Sequence, residues 1–83
     1  MDFKVYIVVE VPIIEKKFEM LVPIDRRIHD IITSIKKSNP LLSSGFYEQR
    51  NPTLFSKTTG EMYDMNQVIK DSNIRVGTRL ILI

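Results

Sequence analysis

The first part of the chain alternates between apolar and polar residues with a period of two, the pattern of half-buried β-strands. In DFKVYIVVEV, one face carries Phe3, Val5, Ile7, Val9 and Val11. In KKFEMLV, the matching face carries Phe18, Met20 and Val22. Pro12 has no N–H to donate, so the first strand should end there. The connecting PIIEK lacks Asn-Gly or Asp-Gly, which predicts a loose hairpin loop.

The period changes to that of a helix in PIDRRIHDIITSIKKSNP. An apolar stripe at helical spacing is formed by Ile28, Ile31, Ile32 and Ile35. We expect Asp25 to cap the helix and Asn39-Pro40 to end it. Lys36 and Lys37 then lie in the last turn, where they complement the helix dipole. Because isoleucine is a modest helix former, the helix should depend on docking its stripe onto a sheet.

The second half of the chain predicts shorter elements. We expect a loop over residues 41–52, a short strand in TLFSK, and a turn at Gly60. A further short or edge strand follows in MYDM, and then a loop or single helical turn around Val68 and Ile69. The last segment, TRLILI, is a nearly all-apolar strand, which is typical of a strand with neighbours on both sides.

This order of elements predicts an α+β fold with two layers. We expect one domain over residues 1–83, in which a mixed sheet of four to five strands packs on one amphipathic helix. The last strand should lie inside the sheet, with Leu80 and Leu82 facing the helix.

The other face of the predicted sheet is the strongest candidate for function. If the odd residues of the first strand face the helix, the residues that face away include Tyr6, Val8, Leu21, Ile81 and Ile83. Strand three should add either Leu54 or Phe55. We expect these side chains to form one apolar patch that binds a protein partner or a second copy of the chain. Tyr6 is the expected anchor, because aromatic residues dominate interface energetics.

The composition of the chain excludes several classes of site and location. The 83 residues carry a net charge of +2 and contain no cysteine, which excludes disulfides and cysteine-based metal sites. No segment reads as a signal peptide or reaches the ~18 apolar residues of a membrane span. We therefore expect a cytoplasmic protein with no direct membrane insertion.

No group of residues in the sequence predicts catalysis, a cofactor or a metal site. His29 is the only histidine, and nothing beside it in the sequence would act as a nucleophile. The carboxylates at Glu48, Glu61, Asp64 and Asp71 lack the spacing of a calcium loop. We expect a solvated surface at these positions and no enzyme activity.

Nucleic-acid binding is a weaker alternative. Three basic pairs occur, at 16–17, 26–27 and 36–37, but acidic residues interleave them. A nucleic-acid surface favours a contiguous basic stripe with aromatic residues and a larger net charge. We therefore expect no nucleic-acid partner. Salt-sensitive retention on heparin would instead favour the alternative that the protein binds nucleic acid.

The hairpin, the segment VPIDRRIHDIITSIKK and the segment QVIKDSNIRVGTRLILI together resemble the ubiquitin-like β-grasp superfamily. The resemblance implies that the first and last strands are parallel neighbours at the centre of the sheet. Conjugated and sulfur-carrying members end in a flexible Gly-Gly tail, whereas the last glycine here is Gly77. The resemblance thus implies a protein that is not conjugated. The alternative is a modifier or sulfur carrier whose Gly-Gly tail is missing from this sequence.

Within the superfamily, the chain looks most like the bacterial YukD/EsaB family. The turn Gly77-Thr78-Arg79-Leu80 before an apolar strand carries this likeness. The family accompanies type VII (ESX/WXG100) secretion systems. The resemblance implies a cytoplasmic accessory protein without catalytic residues, whose partner is a membrane component of the secretion apparatus.

Overall fold

The structure, a computed structural model, describes residues 3–38 and 52–83. The loop predicted over 41–52, apart from Pro52, and the helix stop predicted at Asn39-Pro40 lie outside the described residues. The strands are β1 (Lys4–Val11), β2 (Lys16–Pro23), β3 (Leu54–Ser56) and β4 (Thr78–Leu82). One α-helix, α1 (His29–Ser38), follows β2, and 3-10 helices cover Pro12–Ile14 and Ile69–Asp71.

The four described strands form one mixed sheet in the order β2-β1-β4-β3. β1 pairs antiparallel with β2 and parallel with β4, and β3 pairs antiparallel with β4. The prediction of a central last strand beside a parallel first strand is confirmed. β4 therefore has neighbours on both of its edges.

The N-terminal hairpin closes through a loose connection, as predicted. β1 ends at Val11, and Pro12 begins a 3-10 turn. Glu15 then takes a left-handed conformation with φ 52°, and its N–H donates to the Pro12 carbonyl. The placement of Phe3 in the core is wrong, because this residue precedes β1 and its side chain is exposed.

The core lies between the sheet and α1. Its members are apolar, and most are completely buried; the strands contribute Ile7, Val9, Val11, Val22, Leu54, Leu80 and Leu82, and the helical segment contributes Ile28, Ile31, Ile32 and Ile35. The predicted isoleucine stripe is therefore confirmed. Phe18 and Met20 are half-buried and pack against the same core.

The predicted N-cap at Asp25 is wrong, because the helix begins four residues later at His29. Backbone pairing with the 67–70 segment holds residues 24–28 outside the helix: the Ile28 N–H donates to the Gln67 carbonyl, and the Ile69 N–H donates to the Arg26 carbonyl. Asp30 instead interacts with the backbone just before the helix: its Oδ2 accepts a hydrogen bond from the Arg27 N–H at 3.2 Å.

The segment between β3 and β4 differs from its prediction in one place. MYDM is not a strand, since only Met62 forms a bridge, to Phe55. The predicted single helical turn at Ile69 is confirmed as a 3-10 helix. Gly77 turns the chain into β4 with φ +83°, a conformation that glycine adopts without strain, and its N–H donates to the Tyr6 carbonyl at 2.7 Å.

Candidate protein-interaction surface

The face of the sheet that points away from α1, called the outer face below, carries all five residues predicted to bind a partner. Alternation along β1 and β4 sends the neighbours of the buried core residues to this side. These residues are Tyr6, Val8, Leu21, Ile81 and Ile83. The side chains of Tyr6, Leu21 and Ile83 are 37%, 64% and 66% exposed, and those of Val8 and Ile81 are half-buried.

The strand register divides these residues into two apolar corners. Tyr6 lies opposite Leu21 across the hairpin, and together they form the hairpin corner. Ile81 lies opposite Phe55 of β3, and Ile83 continues this ladder at Thr53; Phe55, Ile81 and Ile83 form the β4 corner. Phe55 is therefore the residue of strand three that faces outward, while Leu54 is fully buried.

The expectation of one continuous apolar patch is wrong, because charged side chains lie between the two corners. Val8 pairs with Glu19 on one side and with Arg79 on the other. In the next row, Glu10 pairs with Lys17. We call these charged residues, together with Lys57, the central cluster: Glu10, Lys17, Glu19, Lys57 and Arg79. Tyr6, Val8, Gly77 and the cluster line an open depression of about 340 Å³.

Two carboxylates of the central cluster already have partners. The Lys57 ammonium donates to Glu10 Oε2 at 2.7 Å, and Lys17 Nζ lies 3.9 Å from Glu10 Oε1. The hydrogen bond from Lys57, aided by the positive charges of Lys17 and Arg79, holds the pKa of Glu10 below its usual value. Hydrogen bonding to the Glu19 carboxylate raises the pKa of Tyr6, because the negative charge opposes a phenolate beside it.

Arg79 differs from two other arginines of the chain, Arg27 and Arg75, whose guanidinium groups donate to backbone carbonyls. Its exposed side chain has no hydrogen bond or ion pair to any part of the chain that the structure describes, and it acts on Glu10 only through its charge. By contrast, Arg27 Nη1 donates to the Asn66 carbonyl at 2.7 Å. Arg75 Nη1 donates to the Ser72 and Ile74 carbonyls, each at 2.8 Å. These two arginines stabilise loops, whereas the Arg79 guanidinium is available to a partner.

The sequence analysis did not identify the central cluster, and it named Phe55 only as one of two alternatives, with Leu54, for the outward residue of strand three. Basic residues were compared as neighbours in sequence, whereas Lys57 and Arg79 come together with Glu10 through pairing between distant strands. Alternation in TLFSK, read together with the buried Leu54, was the available signal for Phe55.

The remaining candidates that the structure describes form no site, and Glu48 lies outside the described residues. His29 is exposed at the start of α1, where its backbone N–H donates to the Met65 carbonyl. Asp64 closes a local turn, since its Oδ1 accepts a hydrogen bond from the Asn66 N–H. Within residues 3–38 and 52–83, no His, Asp and Glu side chains gather in a group that could hold a metal ion. Nor does this part of the chain contain a helix with the length and apolarity needed to span a membrane.

The sequence matches no protein-family model and no curated protein. Solved structures are similar in fold. One, described as molecular mimicry of SUMO that promotes DNA repair, has a TM-score of 0.77 at 12% identity, over 96% of this chain and 90% of that one. The ubiquitin-like domain of an Arabidopsis thaliana protein has a TM-score of 0.72 at 14% identity, over 96% of this chain and 76% of that one.

A third similar structure is an N-terminal ubiquitin-like domain, with a TM-score of 0.69 at 14% identity, over 100% of this chain and 76% of that one. At these identities, similarity establishes the shared fold and not a shared activity. The chain therefore has the ubiquitin-like β-grasp fold, in which the four described strands form a mixed sheet packed on the helix α1.

Proposed function

We propose that this chain is a non-enzymatic protein-interaction module, and that its outer face is the surface that binds the partner. The observation that carries the proposal is the display of large apolar side chains on four neighbouring strands, opposite a core that is already complete: Tyr6, Leu21, Phe55, Ile81 and Ile83. Folding does not require these groups on the solvent side. Binding a partner would remove them from water and so favour association.

We propose more specifically that the module is a cytoplasmic accessory component of a type VII secretion system. The support is the resemblance of the Gly77-Thr78-Arg79-Leu80 turn and the apolar strand after it to the YukD/EsaB family. In this proposal the partner is a cytoplasmic region of a membrane component of the apparatus. The module then contributes recognition and no chemistry.

The test of the outer face uses the variant Ile81→Asp. A carboxylate at this position would be buried without a partner in any complex that covers the β4 corner, so association should be lost. The matched control is Ser34→Asp, which adds the same charge to an exposed position on α1, across the molecule. Circular dichroism should show that both variants keep the fold.

Binding is measured by calorimetry against the soluble cytoplasmic regions of type VII membrane components, with light scattering of the chain alone in parallel. Loss of binding in Ile81→Asp, with wild-type affinity in Ser34→Asp, supports the proposal. Binding that Ile81→Asp leaves intact would contradict the outer face as the interaction surface. Absence of binding to every component would contradict the secretion role and leave the outer face to be tested with other partners.

A further inference from the structure

The arrangement of the outer face, taken with the function proposed above, restricts what its partner can be. The two apolar corners are separated along the strands. From Tyr6 to Glu10 is four residues along β1, and Glu10 is the register partner of Ile81 on the adjacent strand. At roughly 3.3 Å per residue and 4.8 Å between strands, the Cα atoms of Tyr6 and Ile81 lie about 14 Å apart. A single small side chain cannot contact both corners.

The charge of the outer face disfavours a second copy of the chain as its occupant. Four basic and two acidic side chains lie on this face, a net charge of +2: Lys4, Lys17, Lys57, Arg79, Glu10 and Glu19. Face-to-face packing of two copies would bring two positively charged surfaces together. Burying like charges against each other opposes binding, so the face is complementary to an acidic partner.

One unpaired charge of the outer face, Arg79, has a defined position between the two corners. Arg79 lies in the row of Val8, between the two corners, while Glu10 is already engaged by Lys57. A guanidinium presents a planar set of donors that matches a carboxylate. A complex that covered Arg79 with apolar groups alone would bury an uncompensated charge. The partner must therefore supply an acceptor at this point.

The element that covers this surface is best a helix. A strand laid across side chains would leave its own N–H and C=O groups without partners, whereas a helix satisfies them internally. A helix rises about 1.5 Å per residue, so residues seven or eleven apart, which lie on the same face, span about 10 Å or about 16 Å and bracket the distance between the corners.

We propose that the outer face binds an amphipathic helix of a partner protein that carries an Asp or Glu midway between two apolar contacts. One apolar side chain packs on Tyr6 and Leu21, and the other packs on Phe55 and Ile81. The carboxylate between them pairs with Arg79. Recognition thus depends on the order apolar, acidic, apolar along one face of the helix.

The experiment selects binders from a displayed library of helical peptides with one randomised face, using wild-type protein as the target. We expect enrichment of Asp or Glu at the central position, flanked by large apolar residues. Selected peptides are titrated by fluorescence anisotropy against Arg79→Glu, which should weaken binding by about tenfold or more. The matched control is Lys37→Glu, the same charge reversal on exposed α1, which should leave affinity unchanged.

A compensating change sharpens the test. Replacing the central acid of a selected peptide by Lys should abolish binding to wild type and restore binding to Arg79→Glu. If binders depend on Ile81 but show no acidic preference and tolerate Arg79→Glu, the inference is overturned while the outer face stands. If no helical peptide binds, the inference is overturned and the proposed surface is not. If binding survives Ile81→Asp, the inference and the proposed surface are both overturned. A dimer that Ile81→Asp abolishes would make a second copy the occupant, against the inference.

Discussion

The two faces of the sheet are built from the same four strands and are subject to different requirements. On the inner face, the apolar strand residues that form the core are completely or almost completely buried. On the outer face, apolar corners alternate with the charged central cluster. Leu80 and Ile81 are adjacent in sequence, yet Leu80 is fully buried and Ile81 is half-buried. These two neighbouring residues of one strand therefore differ in role: Leu80 contributes to the folded core, and Ile81 lies on the surface that faces away from α1.

The difference indicates where function can be encoded. The inner face must close-pack against α1, so its side chains have little freedom to vary in size or polarity. The outer face has no such constraint, and its combination of exposed aromatic, aliphatic and basic groups is unnecessary for the core. A partner surface on the outer face can thus change without loss of the fold.

The largest expected effect separates the two faces on β4. Leu80→Ala removes buried methyl groups beside α1 and should lower the free energy of unfolding by about 2–5 kcal/mol. Ile81→Ala, the matched change one residue further on the outer face, should cost less than about 1.5 kcal/mol because its side chain is only half-buried. Urea denaturation followed by circular dichroism measures both. Equal losses would show that the outer face is also closely packed in the free protein.

A smaller effect is expected when a valine of β1 is replaced by threonine, which has nearly the same shape but carries a hydroxyl group. Val9→Thr places a hydroxyl in the core and should destabilise by about 1–3 kcal/mol. Val8→Thr, the neighbouring residue on the outer face, should change stability by less than about 0.5 kcal/mol. The same denaturation assay compares them. A large loss of stability in Val8→Thr would indicate that another segment of the chain covers the outer face.

The charged cluster should contribute a small, pH-dependent effect. Since the folded pKa of Glu10 is depressed, its ion pair stabilises the fold above the ordinary glutamate pKa of about 4.3. This contribution is lost as the pH falls through the folded value. Glu10→Gln should therefore be slightly less stable than wild type at pH 7 and equally stable at low pH, as measured by thermal unfolding. A difference that persists at low pH would point to packing instead of charge.

The smallest effect concerns protonation rather than stability. Glu19→Gln removes the carboxylate beside Tyr6, so the pKa of the Tyr6 hydroxyl should fall toward its ordinary value. A pH titration of labelled tyrosine by NMR resolves Tyr6 from the other two tyrosines. Tyr63 is the internal control, because its hydroxyl donates to Asn73 Oδ1 at 2.7 Å, distant in sequence from Glu19. A Tyr6 pKa that does not move would remove Glu19 as its partner.

The sequence predicted the hairpin and the isoleucine stripe because each depends on a local period. It predicted the central last strand because the segment TRLILI is nearly all apolar and because the chain resembles the β-grasp superfamily. The helix start was misplaced at Asp25 because pairing between 24–28 and 67–70 holds that segment outside the helix. A cap preference counts for less than several backbone hydrogen bonds formed with a distant segment. Such pairing leaves no local signal.

The outer face shows the same limit. Alternation places Tyr6, Val8 and Ile81 on one side of the sheet, as the sequence analysis expected. Alternation alone does not identify which residues become neighbours across strands. The register sets Arg79 beside Val8 and separates the two corners, and it follows from how the whole sheet assembles. The charged residues that become neighbours across the parallel strands β1 and β4 could therefore be identified only from the structure.

The parallel pairing of β1 with β4 also governs the order in which the fold can assemble. Ile7 and Thr78 are register partners from opposite ends of the described chain, so their pairing must close a very long loop. The β1–β2 hairpin is local and can form early, but its second edge and its apolar side stay uncovered until β4 arrives. Chains rich in such distant pairs fold slowly. During that interval the open edge of β1 is the site at which two unfinished chains would pair and aggregate.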